Sequence, residues 1–277
     1  MVSTFVFVYS RGLRTTAGNL EFLASRRGLL LRSLISVDLL VPLIALLVIV
    51  LVGPPKNMAV GLILLAASPA SPTVLRNITQ AYGSDEYAVS IHVALALLAI
   101  VTVPVSIDLL SYATGVQVNA TLPAVAELVG INILLPIVAG MISGWLFPAM
   151  ARRVSKPLEI FSVILIILLV ILLLLPTYQV LLTMDIRSYV AIALMTIGAL
   201  AAGHLMARGQ PEEQTTLALE SATRNTGLTL LMASSFTSLE KALPVLIPYV
   251  VLSWIICQTY VIFRRMAKNA RDRDSHR

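Results

Sequence analysis

Apolar residues in this chain run in blocks. Unbroken blocks cover residues 28–53, 86–111, 126–150, 158–182, 187–207 and 241–263, each matching the about 20 residues a helix needs to cross a bilayer. Two more, 57–83 and 211–237, are apolar but interrupted by polar residues and helix breakers. The opening segment MVSTFVFVYSRGL has only about ten apolar residues, roughly 15 Å of helix and half a membrane. Its arginines follow the apolar part, the reverse of a signal peptide. The pattern therefore predicts an all-α polytopic membrane protein of nine segments. It also predicts that the chain starts inside what would be a full helix, with another helix upstream. Residues 1–277 are expected to form a single transmembrane domain.

Composition agrees: 58% of the 277 residues are hydrophobic and 12% charged, far from the balance of soluble domains. The net charge of +6 does not point to nucleic acid, because the basic residues lie in short clusters between apolar blocks without aromatic interleaving. Arg11, Arg14, Arg26 and Arg27 follow the first segment. Arg152, Arg153 and Lys156 follow the fifth, and Arg264, Arg265, Lys268, Arg271 and Arg273 follow the last. The alternate loops carry only Lys56, Arg187 and Lys241. The positive-inside rule then puts the N-terminus outside and the C-terminus in the cytoplasm of a cell inner membrane. The basic tail 264–277 reads as a topology anchor, with anionic lipid as a second reading. The lone Cys257 rules out a disulfide framework and reads as a packed small side chain.

The two interrupted blocks share a feature. SPTVLRNITQAYG and ESATRNTGLTLLM both hold Arg-Asn inside a broken apolar span, Arg76-Asn77 and Arg224-Asn225. The loop charges give the two spans opposite directions, so they read as inverted repeats. Such repeats place substrate and coupling-ion sites near the midplane, on unwound backbone and half-helix ends. The breakers are Pro69 and Pro72 in SPASP, neither of which donates a backbone hydrogen bond. Thr226-Gly227 is the weaker break in the second span.

Charges within apolar spans each cost roughly 2.5–3.5 kcal/mol and default to function. Asp38, Glu220, Arg76 and Arg224 are two acids and two bases that can neutralise one another, with Glu220 and Arg224 on one helix face at i, i+4 if the helix continues. A purely structural charge cluster is the other reading. Thr223 and Thr226 flank the second Arg-Asn and join the candidate binding residues. Ser90 and His92 open the helix after the first break, where His92 is either a packed histidine or a proton relay. Asp108 reads as interfacial, Glu127 and Glu159 as helix-start residues favoured by the dipole, and His204 as lying near a helix end. No phosphate loop, nucleophile triad or metal-ligand spacing is present in the sequence, so an enzyme is not expected.

These residues resemble the bile acid:sodium symporter family, over nearly the whole chain. NMAVGLILLAASPASP is similar to its apolar run into a Pro-containing break, and NITQAYGSDEYAVSI to the end of its fourth helix and start of its fifth. LALESATRNTGLTLLMASSF resembles its ninth-helix motif, and FVFVYSRGLRTTAGNLEF its second helix and following loop. The resemblance implies two inverted five-helix repeats with two broken helices crossing at the midplane, nine segments here against ten in the family. Residues 1–111 would be a first repeat lacking its first helix, and 112–277 the second repeat with its leading helix. It also implies that Glu220 matches a sodium-ligating glutamate, followed by Asn225 and Gly227. Asn77 matches the asparagine of the first crossing helix, Ser90 falls where the fifth helix begins, and Asp38 is close to a polar third-helix position.

The departures change the expected coupling. Arg224 stands where sodium-coupled members carry a glutamine ligand, Arg76 where they carry a serine, and the fifth-helix Ser and Thr ligands are replaced by VALALLAIV. A guanidinium offers five donors and no acceptor, so it replaces a cation instead of binding one. The expectation is a secondary transporter of a small organic anion, Na⁺-independent or H⁺-coupled, with no cofactor. Glu220 is the ligand if Na⁺ is bound. Na⁺-coupled symport of an organic anion, and a non-transporting membrane sensor or degenerate transporter, are the alternatives.

Overall fold

The computed structural model describes residues 2–15, 18, 21–22, 25–71, 73–116, 118, 121–236 and 239–275. Pro72, one of the two expected breakers, lies outside them. The described elements are α1 (Val2–Arg14), α2 (Arg27–Val52), α3 (Lys56–Ala67), α4 (Val74–Gln80), α5 (Asp85–Thr114), α6 (Leu122–Leu146), α7 (Pro148–Thr183), α8 (Ile186–Met206), α9 (Pro211–Ala222), α10 (Thr226–Phe236) and α11 (Leu239–Ser275). With α3–α4 and α9–α10 each taken as one broken span, these make the nine expected segments among the described residues. α2, α5, α6, α8 and residues Val245–Arg271 of α11 are long and apolar enough to cross a membrane. The block at 158–182 lies in α7, where most side chains beyond 162 are outside the described set.

Local chemistry explains the boundaries. α2 stops at Gly53, whose φ of 61° suits the left-handed C-terminal position, and Pro54-Pro55 prevents continuation. α5 begins where Ser84 Oγ accepts from the Tyr87 amide at 3.3 Å, with Asp85 and Glu86 in a first turn whose dipole favours them. Two helices loosen to π geometry just before an internal proline: Ile35–Leu40 before Pro42, and Gly130–Leu134 before Pro136. In each, the wider register is visible at the exit, where Val41 N–H reaches Ser36 O and Leu135 N–H reaches Gly130 O. A proline cannot bond the carbonyl four residues back and its ring clashes with it, so the preceding turn widens. Asp38 sits in the first of these turns.

Lipid supplies little hydrophobic force between helices, so close packing at small residues takes over. α1 lies against α6 through Gly12, Gly140 and Gly144. A Cβ on Gly12 would stand 2.3 Å from Ile137 O, and one on Gly140 2.3 Å from Tyr9 O. α9 meets α8 at Gly203, where a Cβ would be 2.4 Å from Leu217 O. α3 is enclosed on every side: Ile63, Leu64, Leu65 and Ala66 are fully buried, with Val245 of α11 pressed against Gly61. The half-span α3 thus ends in the middle of the protein, which makes its C-terminus the central structural problem.

Gly140→Val is expected to force α1 from α6 and destabilise by about 1–3 kcal/mol, as overpacking does. Gly28→Ala, where nothing lies within 4 Å, is expected to leave stability unchanged. Thermal unfolding of the purified protein in detergent checks both.

Candidate functional site

Both broken spans are interrupted at the same point in space. The extended residues after α3 meet the extended residues between α9 and α10, and Ala70 and Arg224 form an antiparallel bridge. Ser71 N–H donates to Thr223 O at 2.7 Å, and Asn225 N–H to Pro69 O at 2.9 Å. The spans therefore run in opposite directions where they cross. Each break supplies backbone partners to the other, as a dry interior requires.

Arg224 closes the end of α3. Its Nε donates to Leu65 O at 3.3 Å and its Nη2 to Ala66 O at 2.7 Å, and Nη2 also bonds Ser68 O. These carbonyls lie at the negative end of the helix dipole; Leu65 O also accepts from the Ser68 amide at 3.1 Å and the Ser68 hydroxyl at 2.7 Å, so the guanidinium adds to the helix's own cap there and extends it to Ala66 O and Ser68 O. The residue is 2% exposed, and its charge is held by peptide oxygens with no direct carboxylate contact among the described residues. Asp38 and Glu220 act on it only through space. The expected i, i+4 pair of Glu220 with Arg224 does not form, because α9 ends at Ala222 and the chain turns extended at Thr223.

Tyr249 of α11 spans the second break. Its hydroxyl donates to Ala222 O at 2.8 Å and accepts from the Arg224 amide at 2.8 Å. Asn225 restarts the helix: its Oδ1 accepts from Leu228 N–H at 3.0 Å, the geometry of an N-cap. The family-implied binding residue Asn225 is thus also a structural cap.

Glu220 is fully buried and pairs with His92, Nδ1 to Oε2 at 3.4 Å. Among the described residues its Oε1 has no hydrogen-bond partner, nor do Oδ2 of Asp38 and Nη1 of Arg224. Ser221 Oγ and Ser36 Oγ, 2.9 Å apart, tie this turn of α9 to the π turn that holds Asp38. Beside the pair lies a cavity of about 10 Å³, bounded by His92, Asn225, Pro69, Arg11 and Ile133, room for one water. On the other side of the crossing a larger cavity of about 140 Å³ is lined by Ser71, Thr73, Asn77, Thr223, Arg224 and Thr226, closed by Tyr249, Ser253 and Trp254 of α11. Asn77 Oδ1 accepts from Gln258 Nε2 at 3.2 Å at its edge.

Other candidates are placed elsewhere. Arg76 is exposed on α4 and makes no ion pair among the described residues. The structural counterpart of Arg224 across the bridge is Ala70, so the Arg-Asn repeat in the sequence is out of register with the repeat in space. Ser90 is buried and turned to its own helix, donating to Glu86 O at 2.6 Å. His204 meets Tyr260 Oη at 2.8 Å, and Asp108 is exposed. Glu159 is not at a helix start but inside α7, where Arg11 and Arg14 bind its two oxygens at 2.8 and 3.0 Å. Arg11, read as a loop charge, is buried at 8% exposure. Its position as the first of two arginines in a short, largely apolar helix was the available signal. Tyr249 and Gln258 carried none, since one tyrosine or glutamine in an apolar helix resembles any other.

Crossed, broken, oppositely directed spans in an all-helical protein, with polar side chains at the crossing, define a multi-pass membrane protein built like a transporter. The sequence model of the Sodium Bile acid symporter family matches residues 1–184, and the chain belongs to that family. The match includes the first break and ends before the second. A comparison with curated proteins returns no match.

Tyr249→Phe would leave the Ala222 carbonyl and the Arg224 amide unpaired, and is expected to cost about 1–3 kcal/mol for each buried group left so. Tyr260→Phe, which loses a half-buried contact with His204, is expected to cost less. Thermal midpoints of the two variants compared in one detergent check this.

Proposed function

We propose that this protein is a secondary transporter that carries a small organic anion across the cell inner membrane by alternating access, and that it is Na⁺-independent or H⁺-coupled. Family membership supports transport over catalysis. The observation that carries the coupling is the Arg224 guanidinium seated on Leu65 O, Ala66 O and Ser68 O. A cluster of peptide carbonyls at a helix C-terminus is an attractive place for a cation, and here a permanent side-chain cation fills it. The anion would occupy the cavity of about 140 Å³, where hydroxyls, the Asn77 amide and the edge of Arg224 supply donors. The basic clusters support a cytoplasmic C-terminus. The division into repeats at 1–111 and 112–277 is supported by the antiparallel bridge between their broken spans.

Na⁺-coupled symport of the same anion is the second reading. It draws on Glu220 Oε1 and Asp38 Oδ2, two carboxylate oxygens buried without a partner among the described residues, which suit a hard cation. Uptake of labelled taurocholate and of smaller carboxylates and sulfonates into vesicles separates the readings. The expected result is uptake of at least one anion that persists when choline replaces Na⁺; strict Na⁺ dependence overturns the proposal. Arg224→Ala, which uncaps α3, is expected to lower that uptake at least about tenfold, the scale of a lost charge-assisted hydrogen bond.

A further inference from the structure

The basic tail does more than cluster in sequence. One face of the last turns of α11 lies over the start of α9 and the turn after α4, and borders a partly open cavity of about 110 Å³. Arg264, Lys268 and Arg271 line it, spaced to share a face of one helix. Opposite them is the first turn of α9, which opens without a side-chain cap and whose Glu213 and Gln214 amides bond Gln210 O, so the three cations supply the positive charge of the hollow. Glu212 is the one acidic side chain in the lining, against three cations. None of the three forms an ion pair with a carboxylate among the described residues.

Two of the cations are also held in place. Arg264 Nε donates to Thr215 Oγ1 at 2.7 Å and its Nη2 to Pro211 O at 2.5 Å. The Lys268 ammonium lies 4.5 Å from the centre of the Tyr82 ring, a cation–π contact. Tyr82 reaches that position with a φ of 56°, a backbone state uncommon for any residue but glycine, asparagine or aspartate. The neighbouring Arg265 donates to Gln80 O at 2.6 Å. Three cations around a polar hollow of this size, Arg264 and Lys268 held in place and Arg271 exposed beside them, match a phosphate group with its several acceptor oxygens.

We infer that this cavity is a phosphate-binding site, filled by the headgroup of an anionic phospholipid or by a free phosphate. An occupant would bridge α11, the end of the first broken span and the start of the second. This site is separate from the crossing and does not depend on the transported substrate.

The test is thermal-shift titration of the purified full-length protein in detergent with three probes: dioctanoyl phosphatidylglycerol, dioctanoyl phosphatidylcholine and inorganic phosphate. The expected result is a saturable rise in midpoint with phosphatidylglycerol and none with phosphatidylcholine. Lys268→Gln and Arg271→Gln should each weaken the apparent Kd about fivefold, the effect of one basic side chain at an anionic headgroup. Arg273→Gln, the same charge change outside the cavity lining, should leave it unchanged. A response to phosphatidylglycerol alone assigns the lipid as source, and a response to inorganic phosphate as well assigns the free group; both uphold the site. The inference is overturned by no saturable response to either phosphate probe, by equal responses to phosphatidylcholine and phosphatidylglycerol, or by Arg273→Gln weakening binding as much as Arg271→Gln.

Discussion

Two helices that stop inside a membrane leave backbone groups with no water to satisfy them, and everything at the centre of this protein follows from how those groups are paired. The breaks satisfy each other first, through the short antiparallel contact of Ala70 with Arg224 and its flanking bonds from Ser71 and Asn225. What remains is the carbonyl end of each leading half-helix. Arg224 covers the end of α3 with its guanidinium, and Tyr249 covers the end of α9 with its hydroxyl. A buried guanidinium is expensive unless hydrogen bonds replace its hydration. Here the carbonyls at the end of α3 supply them to Nε and Nη2, which offsets part of that cost, while Nη1 is buried without a hydrogen-bond partner among the described residues.

The two halves of the crossing thus reach similar geometry with different chemistry, and the difference gives the site two distinct sides. Toward α1 and α6 lie His92 and Arg11 around a space for one water, with Glu220 paired to His92. Toward α11 lie the hydroxyls, the Asn77 amide and the larger cavity. The π turn before Pro42 belongs to the same design: it places Asp38 within electrostatic reach of Arg224 while Ser36, two residues earlier, is joined to Ser221 beside Glu220. A proline-induced irregularity in a neighbouring span therefore carries charge to the crossing.

α11 connects the crossing to the basic end of the molecule. It supplies Tyr249 to the break, Gln258 to Asn77, and Arg264 to the first turn of α9 at Pro211 O. Arg26, bonded to Glu213, holds that same turn from the other side. The second broken span is in this way anchored at its start and at its break, chiefly by one long helix.

The sequence by itself determined the solvent, the span count and the location of the breaks, because lipid imposes block length and excludes unpaired polar backbone. Ten or twenty apolar residues in a row, Pro69 in a half-span and Glu220 with Arg224 in another are each legible without coordinates. Pairing was not legible. The i, i+4 spacing of Glu220 and Arg224 implied an ion pair only while the helix continued, and the helix ends between them. The repeated Arg-Asn suggested that Arg76 mirrors Arg224, yet the register in space pairs Arg224 with Ala70 and leaves Arg76 on the surface. Arg11 and Tyr249 reach the site from α1 and α11, far away in the chain. Only the tertiary structure decided that the partner of the buried cation is a helix terminus and not a carboxylate, because orphaned carbonyls are created by the fold and leave no residue type to read.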